Sequence, residues 1–174
     1  NLNKIPGINA LAQLEEGKNF GETNVKVTAI NTETLFGNTL VDNNGSRSSG
    51  YNKITNTLNF DGVFNAGERI TFTKVLSGDH HIENNQEESN YYAVSSKLPI
   101  GYDGMLATLQ LSQMEYKLSA PFDSTKPSGY SSEYNLTLNQ PLIESPNFNL
   151  NTSLSLANNK YVNDLGTGNN SDKD

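Results

Sequence analysis

One cluster of side chains has the residue types that bind metal ions or transfer protons, and it lies within the segment 79–88. Its members are Asp79, His80, His81, Glu83, Glu87 and Glu88. Their spacing matches no established metal-ligand signature, and runs of charged residues usually lie in solvated loops. We therefore expect a hydrated loop here and no metal site.

Catalytic chemistry has little support elsewhere in the chain. The sequence contains no Gly-x-Ser-x-Gly, Walker or His-Glu-x-x-His motif, and it has no Cys, which excludes disulfides, thiolate metal sites and a thiol nucleophile. The net charge of -7 argues against a surface for nucleic acid. We expect no cofactor, no catalytic residue and no nucleic-acid partner, and therefore a protein that is not an enzyme.

The composition is unusual for a domain with one buried core. Only 34% of the residues are hydrophobic, and the mean hydropathy is -0.59. A β-barrel with a hydrated lumen tolerates this composition, because only its outer face must be apolar. No run of about 18 apolar residues occurs, so we expect no transmembrane helix.

Short runs that alternate apolar and polar residues predict the elements of the fold. The clearest run is 148–156, where most even positions are apolar and odd positions are Asn or Ser. Successive side chains of a strand point to opposite faces, so such a run has one apolar and one polar face. This alternation predicts seven strands, at about 35–42, 50–60, 67–77, 90–99, 104–117, 129–140 and 147–157.

The links between these predicted strands alternate in length. Short links are expected at 61–66, 100–103 and 141–146, and longer polar links at 78–89, 118–128 and from 158 onward, with an intermediate link at 43–49. In an antiparallel meander this rhythm gathers the short turns at one end and the long loops at the other. That asymmetry is typical of outer-membrane β-barrels.

Two positions depart from the pattern. Lys74 shares its parity with Ile70, Phe72 and Leu76, which puts a cation on the predicted lipid face. A lysine near the membrane interface costs little there, and its long side chain can reach the headgroups. The apolar parity also switches between Leu111 and Met114, and we expect a β-bulge within 104–117 to cause the switch.

Residues 1–34 predict a separate, small α+β unit. The segment 2–7 has the Pro-Gly signature of a helix end, and strands are expected at 8–14 and 23–30 with a turn between them.

Several motifs, taken in order, carry a resemblance to a known family. The string 40–50 reads Leu-Val-Asp-Asn-Asn-Gly-Ser-Arg-Ser-Ser-Gly, and its motif positions are Asp42, Asn43, Gly45, Ser46, Arg47 and Gly50. It resembles the barrel-opening segment of two-partner-secretion transporters, the ShlB/FhaC/HecB-like hemolysin activators of the Omp85 superfamily. Turn motifs of that family are matched by Pro6, Gly7, Gly17, Gly67, Pro99, Gly101, Gly104 and Pro141.

The resemblance implies the organisation of the chain. Residues 1–34 would be the C-terminal part of a POTRA-type periplasmic domain. Residues 35–174 would be the N-terminal part of an incomplete outer-membrane β-barrel with about seven meander strands. The fold class is then mainly β, with the end of an α+β domain in front.

The resemblance also implies a function. Members of the family export a large partner exoprotein, such as a hemolysin or adhesin, through the outer membrane without ATP and help to activate it. We expect an unfolded periplasmic client, contact with outer-membrane lipid, and a monomer at full length. The client would add a strand to the edge of the POTRA domain, at Val25, Val27 and Ala29.

Two other classes of protein stay open at this point. Another Omp85 member, such as an outer-membrane insertase or a patatin-linked transporter, would share the barrel and the POTRA unit. A soluble secreted β-rich adhesin or carbohydrate-binding module would also suit Asn- and Tyr-rich strands. The folding medium separates a barrel of either kind from the soluble module, because a barrel needs micelles or bilayers and a soluble module folds in plain buffer.

Overall fold

A computed structural model of the 174-residue chain describes residues 3, 5–32, 34–78, 87–118 and 125–165. These residues form nine strands and no α-helix. The strands are β1 (Ile8–Glu16), β2 (Thr23–Asn31), β3 (Leu35–Asp42), β4 (Asn52–Asp61), β5 (Arg69–Gly78), β6 (Glu87–Ile100), β7 (Met105–Lys117), β8 (Ser128–Glu144) and β9 (Asn149–Asp164). No helix of the described residues is long and apolar enough to cross a membrane.

The strands fall into two antiparallel sheets. β1 pairs with β2, and β3 to β9 form a seven-stranded meander in sequence order. The meander is an open sheet, with β3 and β9 at its edges within the described part of the chain. No apolar side chain of the described residues is buried, so this sheet has two surfaces and no core of its own.

The predicted strands are confirmed, with corrections at the ends of two of them. β9 continues to Asp164, so the long polar link expected from 158 onward is wrong over 158–164, which belong to the strand. The expected link 141–146 is shorter, because β8 continues through Pro141 to Glu144. Proline has no N–H for the ladder, and the register shifts between Pro141 and Ile143, where such a residue is tolerated. Within the helix end expected at 2–7, Asn3 has a 3₁₀-helical conformation and residues 5–7 form a bend and turn, while Leu2 and Lys4 lie outside the described residues.

The register joins the apolar residues of all seven strands into one face. Across the sheet Phe60 pairs with Ile70, Phe72 with Val94, Leu111 with Tyr134, and Leu136 with Leu156. The bulge after Pro141 keeps Ile143 on this face, opposite Leu150. The opposite face is rich in Asn, Ser and Thr. We call these the apolar face and the polar face.

The bulge expected within 104–117 is absent. β7 pairs with β6 and with β8 without a register shift, so Met114 and Tyr116 lie on the polar face. The Tyr116 side chain extends over Gly129 of β8, and its hydroxyl donates a hydrogen bond to Asn163 Oδ1 of β9 at 2.8 Å. The switch in apolar parity therefore arises because Tyr116 lies on the polar face with a hydrogen-bond partner there, and not because of a β-bulge.

The two ends of the sheet differ. The links at 62–68, 101–104 and 145–148 lie at the end that carries β1 and β2, here called the turn end. The last residues of β3, β5 and β7 and the first residues of β4, β6 and β8 lie at the opposite end, here called the loop end.

Successive hairpins are staggered at the turn end. Arg69 is matched across β6 by Thr108, yet β7 begins three residues earlier, at Met105. Leu106 is matched across β8 by Ser153, yet β9 begins four residues earlier, at Asn149. A sheet that closes into a barrel needs a stagger of this kind, because its strands tilt against the barrel axis.

Candidate functional site

The two sheets meet at the turn end of the polar face, and we call this region the junction. The Thr32 N–H donates a hydrogen bond to the Gly7 carbonyl at 2.9 Å, which joins the end of β2 to the turn before β1. The Asp61 N–H donates to the Thr34 carbonyl at 2.8 Å, which joins the linker to the last residue of β4. The first bond closes the β1–β2 unit, and the second connects the linker after it to the seven-stranded sheet.

A buried ion pair lies at the centre of the junction. Asp61 is 1% exposed, and its two carboxylate oxygens accept hydrogen bonds from Arg69 Nε and Nη2, both at 2.7 Å. The Arg69 guanidinium also lies 5.2 Å from the centroid of the Phe36 ring. A bidentate pair with an aromatic neighbour satisfies a charge that would otherwise be costly to bury. Arg69 is itself 40% exposed, so the pair is open to water on one side.

A second buried carboxylate shapes the turn between β4 and β5. Glu68 is 2% exposed and accepts hydrogen bonds from the backbone N–H groups of Phe64 and of Ala66, the latter at 3.0 Å. The bond from Phe64 holds the pKa of Glu68 below its ordinary value, and burial opposes this effect. The charged carboxylate therefore fixes the conformation of a turn that contains Asn65 at a positive φ of 56°.

A cavity of about 520 Å³ opens between the N-terminal turn and the polar face. Its wall includes Ile5 and Pro6 on one side, and Phe36, Arg69 and Lys97 on the other. Asp61, Arg69 and Lys97 are consecutive partners across β4, β5 and β6, so both cations point to the same surface. The junction thus places the Asp61–Arg69 ion pair and the ammonium group of Lys97 at the turn-end rim of the polar face.

Uncharged hydrogen-bonding side chains cover much of the polar face beyond the rim. Thr71 Oγ1 donates to Asn59 Oδ1 at 2.8 Å, and the hydroxyls of Thr137 and Ser155 lie 2.9 Å apart. Such a wall offers donors and acceptors to water and to any polar chain.

The barrel-opening segment lies at the loop end, far along the strands from the junction. The Asp42 Oδ1 accepts the Asn44 N–H at 2.9 Å, and the Ser46 Oγ accepts the Ser49 N–H at 3.1 Å. Asn43 and Arg47 are exposed. This arrangement makes a self-contained loop.

That loop packs onto the end of β5. Gly50 is buried at a φ of 96°, and a side chain there would collide with the backbone of Gly78. Ser77 Oγ donates to the Ser49 carbonyl at 2.6 Å, and Gly45 donates its N–H to the Tyr51 carbonyl at 3.0 Å. The two motif glycines are therefore needed for close backbone approach.

Several predicted turn residues come together at the junction. Gly7 has a φ of 78° and lies against Asp61, and Gly67 lies against Ile5 and Pro99. Elsewhere, Gly17 donates its N–H to the Glu22 carbonyl in the β1–β2 turn at 3.0 Å. Gly101 and Gly104 lie in the β6–β7 turn, and Gly104 faces Pro141 of β8.

The predicted client edge is an exposed strand. Val25, Val27 and Ala29 lie on β2 opposite Leu14, Ala12 and Ala10, so their side chains share one apolar surface of the two-stranded sheet. Among the described residues β2 pairs with β1 alone, and its other edge carries no strand. The histidine cluster at 79–88 lies largely outside the described residues.

Sequence reasoning missed the central pair of the junction. Glu68 and Arg69 directly follow the predicted turn residue Gly67, but no pattern indicated that Arg69 pairs with Asp61 across the hairpin. One signal was available: Asp61 ends β4 and Arg69 begins β5, and a hairpin that pairs these two ends directs both side chains to the same face.

Comparisons with known proteins agree with this fold. The sequence profile of the family described as haemolysin secretion/activation protein ShlB/FhaC/HecB matches residues 21–168. The heme/hemopexin transporter protein HuxB of Haemophilus influenzae strain 86-028NP is 26% identical over 154 residues, which is 88% of this chain and 26% of that protein. HuxB of strain ATCC 51907 gives the same values. The chain thus spans about a quarter of the length of these relatives.

A solved structure has the same fold. CdiB from Escherichia coli superposes with a TM-score of 0.77 at 18% sequence identity, over 95% of this chain and 30% of that chain. The likeness covers both the β1–β2 unit and the open seven-stranded sheet.

Proposed function

The chain belongs to the haemolysin secretion/activation family ShlB/FhaC/HecB, and from that premise we propose that it is the N-terminal barrel half of an outer-membrane exporter for a large partner exoprotein. Family membership is the observation that carries the proposal. The continuous apolar face and the hairpin stagger support it, because a membrane barrel needs both. Such a protein moves its client without ATP, helps to activate it, and carries no catalytic residue or cofactor.

We assign residues 1–34 to a periplasmic POTRA-type domain and residues 35–174 to the barrel. The turn end then faces the periplasm, in keeping with the short periplasmic turns of such barrels. The apolar face contacts lipid, and the polar face lines the lumen. At full length the protein is a closed monomeric barrel.

The client enters by strand addition at the edge of β2. An extended chain satisfies the unpaired backbone groups of such an edge whatever its sequence, which suits recognition of an unfolded exoprotein. The apolar side chains of Val25 and Val27 give the added strand neighbours to pack against. From there the client passes the rim formed by the Asp61–Arg69 pair and Lys97 and follows the largely uncharged wall of the lumen.

A secretion assay on the full-length protein tests the proposal. The protein is expressed in a Gram-negative host together with a candidate partner exoprotein, and the exoprotein is measured in the medium. We expect secretion only when both are present. Exoprotein that reaches the medium equally well without the transporter would contradict the proposal.

The requirement for a membrane gives an independent test. We expect the full-length protein to fold in detergent micelles or bilayers and to conduct ions across a planar membrane. A cooperative, monomeric fold of the full-length protein in plain buffer would favour the soluble adhesin instead.

A further inference from the structure

Lys74 is the only charged residue that the described parts of β3, β4 and β5 place on the apolar face. Its neighbours across the ladder are Asn56 on β4 and Tyr92 on β6. Along its own strand the same-face neighbours are Phe72 and Leu76. None of these four residues can neutralise an ammonium group.

The contacts of Lys74 leave its charge available. The Nζ atom lies 5.4 Å from the centroid of the Tyr92 ring, a cation–π contact that orients the side chain without supplying a counter-charge. Lys74 takes part in no ion pair among the described residues. Asn56 beside it accepts a hydrogen bond from Thr39 Oγ1 at 2.7 Å, and its amide N–H groups can still donate. The position therefore offers donors that suit an anion.

The depth of Lys74 in the membrane follows from the position of the apolar band, whose loop-side edge shifts from strand to strand across the sheet. Val41 is linked by successive pairs across the sheet to Val162 on β9. On β9 the apolar run ends six residues nearer the turn end, at Leu156, because Asn158 and Lys160 follow on the same face. Over six strand steps the band drifts by about one residue per strand, and the corresponding tilt is about 35°, as in membrane barrels.

The same drift locates the edge of the band on β5. β5 lies two strand steps from β3, and its residue in the cross-strand row of Val41 is Leu76. A drift of two residues towards the turn end places the edge of the apolar band on β5 at Lys74. Lys74 thus lies at the loop-side boundary of the apolar band, with Tyr92 beside it. This is the depth at which lipid phosphates and interfacial tyrosines are found.

We propose that Lys74, together with Asn56 and Tyr92, binds the phosphate group of an outer-leaflet lipid. The inference rests on the proposed membrane orientation, in which the loop end faces outward. The ammonium group supplies the charge, the Asn56 amide donates a further hydrogen bond, and the Tyr92 ring supports the lysine stem. The ligand is lipid-borne, because the apolar residues beside the site favour its acyl chains.

A lipid-retention experiment on the full-length barrel tests the proposal. The protein is purified in detergent and titrated with diphosphorylated lipid A or with the same glycolipid lacking phosphate, and bound lipid is counted by native mass spectrometry. We expect selective retention of the phosphorylated form. Replacement Lys74→Gln is expected to weaken it by roughly five- to tenfold, as for the loss of one charge-assisted contact.

Lys160→Gln is the matched control. Lys160 lies in the same cross-strand row on the same face, but on β9 this row has left the apolar band, so we expect lipid retention like that of the parent protein. Three results would each overturn the proposal: equal retention by the Lys74→Gln variant, equal loss in the control, or displacement of the lipid by excess inorganic phosphate. Ion conductance of the same preparations reports on the barrel separately, so the lipid site can fail while the proposed pore stands.

Discussion

The turn end and the loop end of the sheet are held together by different chemistry. At the turn end two buried carboxylates, Asp61 and Glu68, are held by a guanidinium and by backbone N–H groups. At the loop end the segment 43–51 is held by serine hydroxyls and by glycines that allow backbones to touch. Charged side chains fix the end where the β1–β2 unit meets the seven-stranded sheet, whereas small residues let the polar loop pack against the end of β5.

Breaking the charged anchor should have the largest effect. Replacement Arg69→Met keeps most of the side-chain volume but leaves Asp61 buried without its partner, and we expect a loss of about 3 kcal/mol in the free energy of unfolding of the full-length protein. Urea titration in lipid vesicles measures this loss. The double replacement Asp61→Asn with Arg69→Met should recover part of it. Equal losses in the single and double variants would show that the ion pair does not anchor the junction.

The glycine contact at the loop end should rank second. Gly50→Ala puts a Cβ at a φ of 96° and against the backbone of Gly78, and we expect a loss of about 2 kcal/mol. The same urea titration applies. Gly21→Ala is the matched control, because Gly21 also has a positive φ, 87°, but has open space around it. If both variants lost the same stability, backbone strain alone would explain the result and the packing on β5 would be irrelevant.

The sequence predicted the strands well because alternation has a single period, and each segment carries it independently. β3 begins and ends where its pattern does, at Leu35 and Asp42. Two local failures have physical causes: Pro141 marked the end of a strand that a bulge carries onward, and Tyr116 broke parity because its partner, Asn163, lies two strands away. The Asp61–Arg69 pair depends on a cross-hairpin register, which no local pattern fixes.

The turn between β4 and β5 should make the turn end sensitive to acid. Because the pKa of Glu68 is lowered by the hydrogen bond from Phe64, its ionised form stabilises the folded state above the unfolded value of about 4.5, and this contribution is lost as the pH falls through the lower folded pKa. Glu68→Gln should lose about 1 kcal/mol at pH 7 and show a smaller further loss on acidification than the parent protein. Urea titrations at pH 7 and at several values below 4.5 measure this difference. If the free energy of unfolding depended on pH in the same way for the two proteins, the ionised Glu68 carboxylate would not stabilise the turn.

The hydrogen bond between Tyr116 and Asn163, on the polar face near the loop end, should contribute least to stability. Tyr116→Phe removes the hydrogen bond to Asn163 but keeps the ring over Gly129, and because the bond is exposed we expect a loss of only about 0.5 kcal/mol. Tyr134→Phe is the control, since that tyrosine lies on the apolar face. A loss as large as that of the Arg69→Met variant would mean that the two ends are equally anchored. A small loss would support the view that the sheet is fixed by charge at the turn end and only loosely by neutral contacts at the loop end.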